Sequence, residues 1–214
     1  MLAYQSGQPI SVTPWPLAAP HIQQVRAMRA VGGGELKPLI LAISIITPQT
    51  TNRDSARKLV RAALRETLGI LLDMSPQSVP LISEPGHPIR LALPHQQIGL
   101  SITHEAGFSL AAINLYGKIG IDTMRTDSIS DWQQVAQDYL GSTIYNRILS
   151  KPENQRAIAF AEQWTRYEAS LKCLCLGITE WDLRLDKALR QCAVNSLMLP
   201  NGMVGTIATL PAKP

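Results

Sequence analysis

The sequence predicts an α+β protein built from two halves of similar size, residues 1–116 and 117–214. Three observations predict this class: a long helix-forming stretch at 157–177, a helical pattern at 54–68, and short apolar runs between turn residues at 79–124. Hydrophobic residues make up 45% of the 214 residues and charged residues 17%, which is typical of a globular chain that can bury a core. No sequence repeat relates the two halves.

The overall charge restricts the classes of partner. A net charge of +4 suits a polyanionic small ligand or an acidic protein partner. Aromatic residues are only 5% and no dense run of Lys and Arg occurs, so we expect no nucleic-acid partner. The N-terminus lacks a signal-peptide pattern and no apolar stretch is long enough to span a bilayer, which predicts a cytoplasmic protein without a membrane partner.

The three cysteines fit that location. Cys173, Cys175 and Cys192 form an odd set, and the first two fall on the apolar side of a predicted helix. We interpret them as reduced core residues, since a metal site would need more ligands at suitable spacing.

The first half contains an irregular lead-in, a strand and a cationic helix. Proline and glycine punctuate residues 1–36, where we expect little structure beyond a short helix at 21–30. The isoleucine-rich run 38–47 predicts a buried strand. A helix follows to Leu68, with Gly69 as its stop. Its cations, Arg53, Arg57, Lys58, Arg61 and Arg65, most simply form a solvated face, but they could also hold phosphates.

The remaining elements follow in order. Short strands between turn signals at 79–124 predict an antiparallel meander. Helices are expected at 131–140 and 143–149, and a helix or strand at 183–192. The turn Pro200-Asn201-Gly202 predicts a closing hairpin.

The stretch 157–177 predicts the longest helix of the chain, which we expect Lys151-Pro152-Glu153 to open and Gly177 to end. Glu168 and Lys172 lie one turn apart on the rim of its apolar stripe. Most such pairs are ordinary surface ion pairs. The stripe consists of Phe160, Trp164, Tyr167, Leu171, Leu174 and Cys175.

Four short motifs give the ion pair a more specific meaning. They are Gly86-His87-Pro88, Thr103-His104, Gly120-Ile121-Asp122-Thr123-Met124 and the run from Trp164 to Lys172. In this order and at these separations they resemble the 4′-phosphopantetheinyl transferase superfamily, in its larger, monomeric pseudo-dimer type. The resemblance covers residues 38–185, and Leu59-Val60-Arg61 resembles the arginine helix of that family.

The resemblance implies a reaction and a set of partners. Such enzymes transfer the phosphopantetheine arm of coenzyme A to a serine of an acidic acyl or peptidyl carrier protein and release 3′,5′-ADP. It also implies Mg²⁺, which prefers one or two carboxylates together with phosphate oxygens and water. By this resemblance the first half contributes to coenzyme binding, and the second half carries the metal site.

The resemblance also assigns roles to individual residues. Asp122 and Glu168 would hold Mg²⁺, and Lys172 would neutralise charge that develops on the phosphates. Glu168, directly or through water, would accept the serine proton. His104 would contact the phosphates of the coenzyme, and Arg61 its 3′-phosphate end. The coenzyme-binding set is Arg61, His87, Thr103, His104 and Lys172.

Four positions depart from the family pattern. His87 stands where the family has lysine, and Thr103 replaces serine while keeping a hydroxyl. Met124 replaces the second acidic residue of the Asp-x-Glu pair, as it does in some animal-type members. Tyr167 replaces the lysine before the metal-binding glutamate, and we expect it to pack in the core, since a phenol with an ordinary pKa is a poor base.

Two alternatives remain open at this point. The chain could be a degenerate relative that binds coenzyme A or a carrier protein without catalysis. It could instead be an α+β interaction module in which Asp122, Glu168 and Lys172 form only a structural ion network. The sequence also leaves open which carrier protein would be served.

Overall fold

A computed structural model of the chain describes residues 8–30, 39–49, 53–84, 87–126 and 130–210. The described residues form two compact units, which we call the N-terminal unit (residues 11–118) and the C-terminal unit (residues 8–10 and 119–210). Both contain helices and strands, so the predicted α+β class is confirmed. None of the described helices is both long and apolar enough to cross a membrane.

The N-terminal unit packs two helices with a four-stranded sheet of order β5-β6-β2-β1. β1 and β2 are parallel, and the other neighbours are antiparallel. β3 and β4 form a separate two-stranded ribbon. The elements are β1 (Ile10–Trp15), α1 (Ala19–Ala30), β2 (Ile40–Ile46), α2 (Arg53–Leu72), β3 (Leu81–Ile82), β4 (Arg90–Leu91), β5 (Gly99–Glu105) and β6 (Phe108–Asn114).

The predicted buried strand and the short N-terminal helix are confirmed as β2 and α1. The prediction of an irregular lead-in was wrong for residues 10–15, which form β1. This strand pairs with β2, and local sequence pattern does not reveal such a partner. The triple glycine at 32–34 lies outside the described residues.

The stop predicted for α2 at Gly69 was also wrong. The helix continues to Leu72, and Asp73 adopts the left-handed conformation that ends it, with φ of 57°. Gly69 is instead a site of close packing, since a Cβ there would lie 2.8 Å from the carbonyl oxygen of Met74.

The C-terminal unit packs helices against an antiparallel sheet of order β8-β9-β7. The predicted closing hairpin is confirmed as β8 and β9, and Gly202 has a φ of 81° in its turn. A π-helical turn, Ala136–Leu140, joins α3 to α4. The elements are β7 (Ile119–Arg125), α3 (Trp132–Val135), α4 (Gly141–Leu149), α5 (Glu153–Leu174), α6 (Leu183–Leu189), β8 (Ala193–Met198) and β9 (Met203–Thr209).

The predicted meander at 79–124 was wrong in its connectivity. β5 and β6 form the expected hairpin, but β6 then pairs with β2, and β7 pairs with β9 from the end of the chain. Turn residues predict where strands stop, whereas the choice of partner depends on distant segments.

α5 is the long helix that the sequence predicted, although its limits differ. It begins after Pro152 and ends at Leu174, where Cys175 adopts the left-handed conformation with φ of 58°. The stop at Gly177 was therefore wrong, and so was the placement of Cys175 on the apolar stripe, since its side chain is exposed. Leucine and cysteine are not typical helix stops, so local propensity did not reveal this end.

α5 lies unusually close to β7 at Gly120. A Cβ on Gly120 would lie 1.9 Å from the carbonyl oxygen of Ala169 and 2.5 Å from the backbone nitrogen of Cys173. Only a residue without a Cβ permits this approach. The buried hydroxyls of Thr165 on α5 and Thr206 on β9, 3.1 Å apart, add a polar contact between the helix and the same sheet.

Candidate functional site

The C-terminal unit brings together three of the residues singled out in the sequence: Asp122 on β7, and Glu168 and Lys172 on α5. The ammonium of Lys172 donates to Asp122 Oδ1 at 2.7 Å and lies 3.7 Å from Glu168 Oε2. It also donates to the carbonyl oxygen of Ile121 at 3.2 Å. We call these three residues the carboxylate cluster.

Burial gives the carboxylate cluster its electrostatic character. The side chain of Asp122 is 7% exposed, that of Glu168 22% and that of Lys172 33%. Solvent screens partly buried charges less than it screens exposed ones. The charges of the carboxylate cluster therefore interact more strongly than those of an exposed i, i+4 ion pair.

Glu168 experiences competing influences on its pKa. Burial raises the pKa of the Glu168 carboxyl, the neighbouring Asp122 charge raises it further, and Lys172 and an indole hydrogen bond from Trp164 lower it. The net direction is upward from 4.5. Because the folded state binds the proton more tightly, the contribution of Glu168 to stability is lost as the pH rises through its raised pKa.

Local structure explains why these side chains meet. Residues two apart on a strand share a face, so Asp122 lies on the same face of β7 as Gly120, which contacts α5. The α5 backbone atoms next to Gly120 belong to Ala169 and Cys173. Glu168 and Lys172 directly precede these two residues, so the close approach at Gly120 brings both charged side chains to β7.

Two residues that differ from the family pattern, Tyr167 and Met124, pack in one apolar cluster of the C-terminal unit. Tyr167 is 5% exposed and Met124 packs against the same group of side chains, which includes Trp132, Phe160 and Leu171. The expected burial of Tyr167 is confirmed. Its hydroxyl donates to the carbonyl oxygen of Thr179 and accepts from the Thr179 amide at 3.2 Å.

The N-terminal unit holds the remaining predicted residues. Thr103 is buried on β5, and His104 follows it. His104 Nδ1 lies 2.8 Å from the Oγ of Ser109, the residue directly opposite on β6. Arg61 is partly buried on α2.

The turn that contains His87 is described only in part. His87 is exposed ahead of β4, and its amide donates to the carbonyl oxygen of Glu84 at 3.2 Å. Gly86, the first residue of its motif, lies outside the described residues.

Two of the α2 cations have structural partners. Arg65 donates to the carbonyl oxygen of Val79 at 2.6 Å, and Arg57 pairs with Asp54 at 3.3 Å.

The carboxylate cluster fits the protein share of a magnesium site. Within the described part of the chain no group of three or more His, Cys, Asp or Glu side chains could hold a metal ion. Mg²⁺ does not require such a group, because one or two carboxylates suffice when phosphate and water supply the other ligands. Asp122 and Glu168 share the single ammonium of Lys172, so a cation would offset the remaining negative charge of the ionised cluster.

Sequence reasoning missed three residues that shape these sites. Trp164 was assigned to the apolar stripe and to a motif, yet its indole also lowers the pKa of the Glu168 carboxyl. Gly120 was treated as part of a motif, and its role in the approach of α5 depends on tertiary packing. Ser109 had no local signal, although strict pairing of β5 with β6 would have placed it opposite His104.

Comparison with known proteins finds a similar transferase. No protein-family model matches the sequence. The 4′-phosphopantetheinyl transferase HetI of Nostoc sp. (strain PCC 7120) is 32% identical over 123 residues, which are 56% of this chain and 52% of the relative. The chain thus spans about half the length of this curated relative. The match supports a relationship to the 4′-phosphopantetheinyl transferase superfamily.

Proposed function

We propose that this protein is a 4′-phosphopantetheinyl transferase, which transfers the phosphopantetheine arm of coenzyme A to a serine of a carrier protein and releases 3′,5′-ADP. The observation that carries the proposal is the carboxylate cluster, in which Lys172 contacts acidic residues from two separate motifs. The similarity to HetI supports the same reaction.

The proposed metal ligands are Asp122 and Glu168. A magnesium ion held there would supply positive charge to the pyrophosphate of coenzyme A. Lys172 adds a second positive charge, which stabilises the negative charge that grows as the bond to 3′,5′-ADP breaks.

Glu168 is the proposed acceptor of the serine proton. Its carboxylate would accept the proton directly or through a water, as a positioned carboxylate does in general base catalysis. Tyr167 has no place in this step, because its hydroxyl already bonds to Thr179 and burial raises the pKa of the phenol from 10.0.

The coenzyme would be held by the other residues that the motifs assign. His104 and Arg61 contact phosphates in this proposal, with His87, Thr103 and Lys172 completing the set. The partner is an acidic acyl or peptidyl carrier protein, and we expect a monomeric cytoplasmic enzyme of the larger, pseudo-dimer type.

The central test is a transfer assay. The protein is incubated with coenzyme A, Mg²⁺ and an apo carrier protein, and the mass of the carrier is followed by mass spectrometry. We expect the carrier to gain a phosphopantetheine group, and we expect Asp122→Ala or Glu168→Ala to abolish the gain because the cation loses a ligand. Omission of Mg²⁺ should have the same effect.

Folding of the variants is checked by circular dichroism, and Gln134→Ala, an exposed change on α3, serves as control. Parental turnover in both carboxylate variants would refute the metal assignment.

The second candidate is a degenerate relative that binds coenzyme A without transferring its arm. It is favoured by one observation: Met124 and Tyr167 replace polar family residues and both join the apolar cluster. Calorimetric binding of coenzyme A together with no modification of several apo carrier proteins would favour this candidate.

A further inference from the structure

Two buried hydroxyl groups lie behind His104 in the N-terminal unit. Ser109 is fully buried on β6, and its Oγ lies 2.8 Å from His104 Nδ1 and 3.4 Å from Thr47 Oγ1. Thr47 directly follows β2 and is 4% exposed. Its amide donates to the carbonyl oxygen of Gly107 at 3.1 Å, which fixes its backbone at this position.

The arrangement allows Ser109 to serve both protonation states of the imidazole. A hydroxyl has one proton to donate and two lone pairs that accept. Beside a neutral ring, Ser109 can donate to Nδ1 and accept from Thr47, an arrangement that leaves the ring proton on Nε2. Beside an imidazolium, Nδ1–H donates to Ser109, and the Ser109 proton turns to Thr47 Oγ1.

The hydrogen bond also selects one orientation of the ring. The χ2 torsion of histidine is broad, so an imidazole without a fixed partner samples a wide range of orientations. A bond to one ring nitrogen decides which nitrogen carries the proton and where the other one points. Burial of Ser109 excludes water, which would otherwise compete for Nδ1.

We propose that Ser109, with Thr47 behind it, is the positioning residue of His104 and makes Nε2, which has almost no exposed surface in this structure, the nitrogen that donates to the phosphates when coenzyme A binds. This inference rests on the proposed function, in which His104 contacts those phosphates. Ser109 itself touches no substrate and acts only through the imidazole.

The test is a double-mutant cycle on coenzyme A affinity, measured by calorimetry with the parent, Ser109→Ala, His104→Ala and the double variant. We expect Ser109→Ala to weaken binding by roughly 3- to 10-fold in the parent, the loss of one hydrogen bond. In the His104→Ala background it should have almost no effect, because the residue through which it acts is gone. Equal losses in both backgrounds would overturn the proposal.

Thr67→Val is the matched control. Thr67 is also fully buried in the N-terminal unit, but its hydroxyl donates to the carbonyl oxygen of Ala63 within α2. We expect this variant to bind coenzyme A like the parent. A loss equal to that of Ser109→Ala would overturn the proposal, because it would trace the effect to general destabilisation of the unit.

A spectroscopic measurement tests the same contact without coenzyme A. In long-range proton–nitrogen NMR spectra at a pH where the ring is neutral, we expect His104 Nδ1 to appear as a hydrogen-bonded acceptor and Nε2 as the protonated nitrogen. Ser109→Ala should shift the Nδ1 resonance. A parent ring protonated on Nδ1, or a spectrum that Ser109→Ala leaves unchanged, would overturn the proposal.

The outcomes separate this inference from the proposed function. If His104→Ala binds coenzyme A as tightly as the parent does, the phosphate contact and the positioning role both fail. Transfer to a carrier protein, measured on the parent, still decides the proposed activity independently.

Discussion

At the scale of single residues, Tyr167 is next to Glu168 in the sequence but packs in the apolar cluster. It precedes Glu168 on α5, yet its ring packs against Tyr139 and Trp164 and its hydroxyl bonds to Thr179. The family pattern has lysine at this position. The tyrosine therefore has a packing role. The amphipathic period of the helix already predicted that Tyr167 lies on its apolar side.

We expect Tyr167→Phe to keep transfer within a few-fold of the parent, because the ring remains and only the hydroxyl is removed. Loss of a working general base would instead reduce the rate by roughly 10²- to 10⁴-fold. The measurement is the initial rate of carrier modification. Tyr139→Phe, which removes a neighbouring hydroxyl from the same aromatic group, is the control.

The same variant should affect stability in a pH-dependent way. Burial raises the pKa of Tyr167, so its contribution to stability is present below pH 10 and is lost as the pH rises through the raised pKa. The free energies of unfolding of the parent and of Tyr167→Phe, measured with denaturant, should therefore converge as the pH rises above 10.

A loss of transfer rate of roughly 10²- to 10⁴-fold in Tyr167→Phe, with the fold and coenzyme affinity unchanged, would show that the tyrosine takes part in catalysis.

At the level of elements, the contact between β7 and α5 determines whether the carboxylate cluster forms. Asp122 and Lys172 lie on different elements and meet because Gly120 lets the helix backbone approach the strand. The absence of a side chain at Gly120 thus allows the ion pair between Lys172 and Asp122 to form.

We expect Gly120→Ala to lower the free energy of unfolding by about 1–3 kcal/mol or more, because the new Cβ would overlap the helix backbone. The helix must move away, which separates Lys172 from Asp122 and should reduce transfer even at temperatures where the variant is folded. Chemical denaturation and the transfer assay measure the two effects.

Gly177→Ala is the matched control for this change. A Cβ at Gly177 would meet no atom within 4 Å, so the same substitution there should change neither stability nor transfer appreciably. Identical behaviour of the two variants would refute the role given to Gly120.

For the whole molecule, the proposal assigns Arg61 to the 3′-phosphate end of coenzyme A. Arg61 belongs to the N-terminal unit and the carboxylate cluster to the C-terminal unit. We expect Arg61→Ala to weaken coenzyme A binding by about 5- to 150-fold, since a lost phosphate contact costs roughly 1–3 kcal/mol. Calorimetry with coenzyme A measures the change.

Arg57→Ala provides a control with the same loss of charge on the same helix, because Arg57 is exposed and pairs with Asp54. If both variants bind coenzyme A as the parent does, Arg61 has no contact with the ligand. If both weaken it equally, the effect is long-range attraction rather than contact.

The sequence by itself determined the α+β class, the main helices, the closing hairpin and the residues that resemble a transferase. These features depend on local periodicity, turn residues and motif spacing, which a single chain displays directly. The sequence erred at the ends of α2 and α5, where Asp73 and Cys175 adopt left-handed conformations that are more typical of glycine.

Tertiary structure decided the features that depend on distant segments. It paired β7 with β9 and β6 with β2, placed Ser109 behind His104, and brought Lys172 onto Asp122. The physical reason is that strand pairing and close helix packing are chosen by the burial of many residues at once, whereas local pattern fixes only the conformation of each segment.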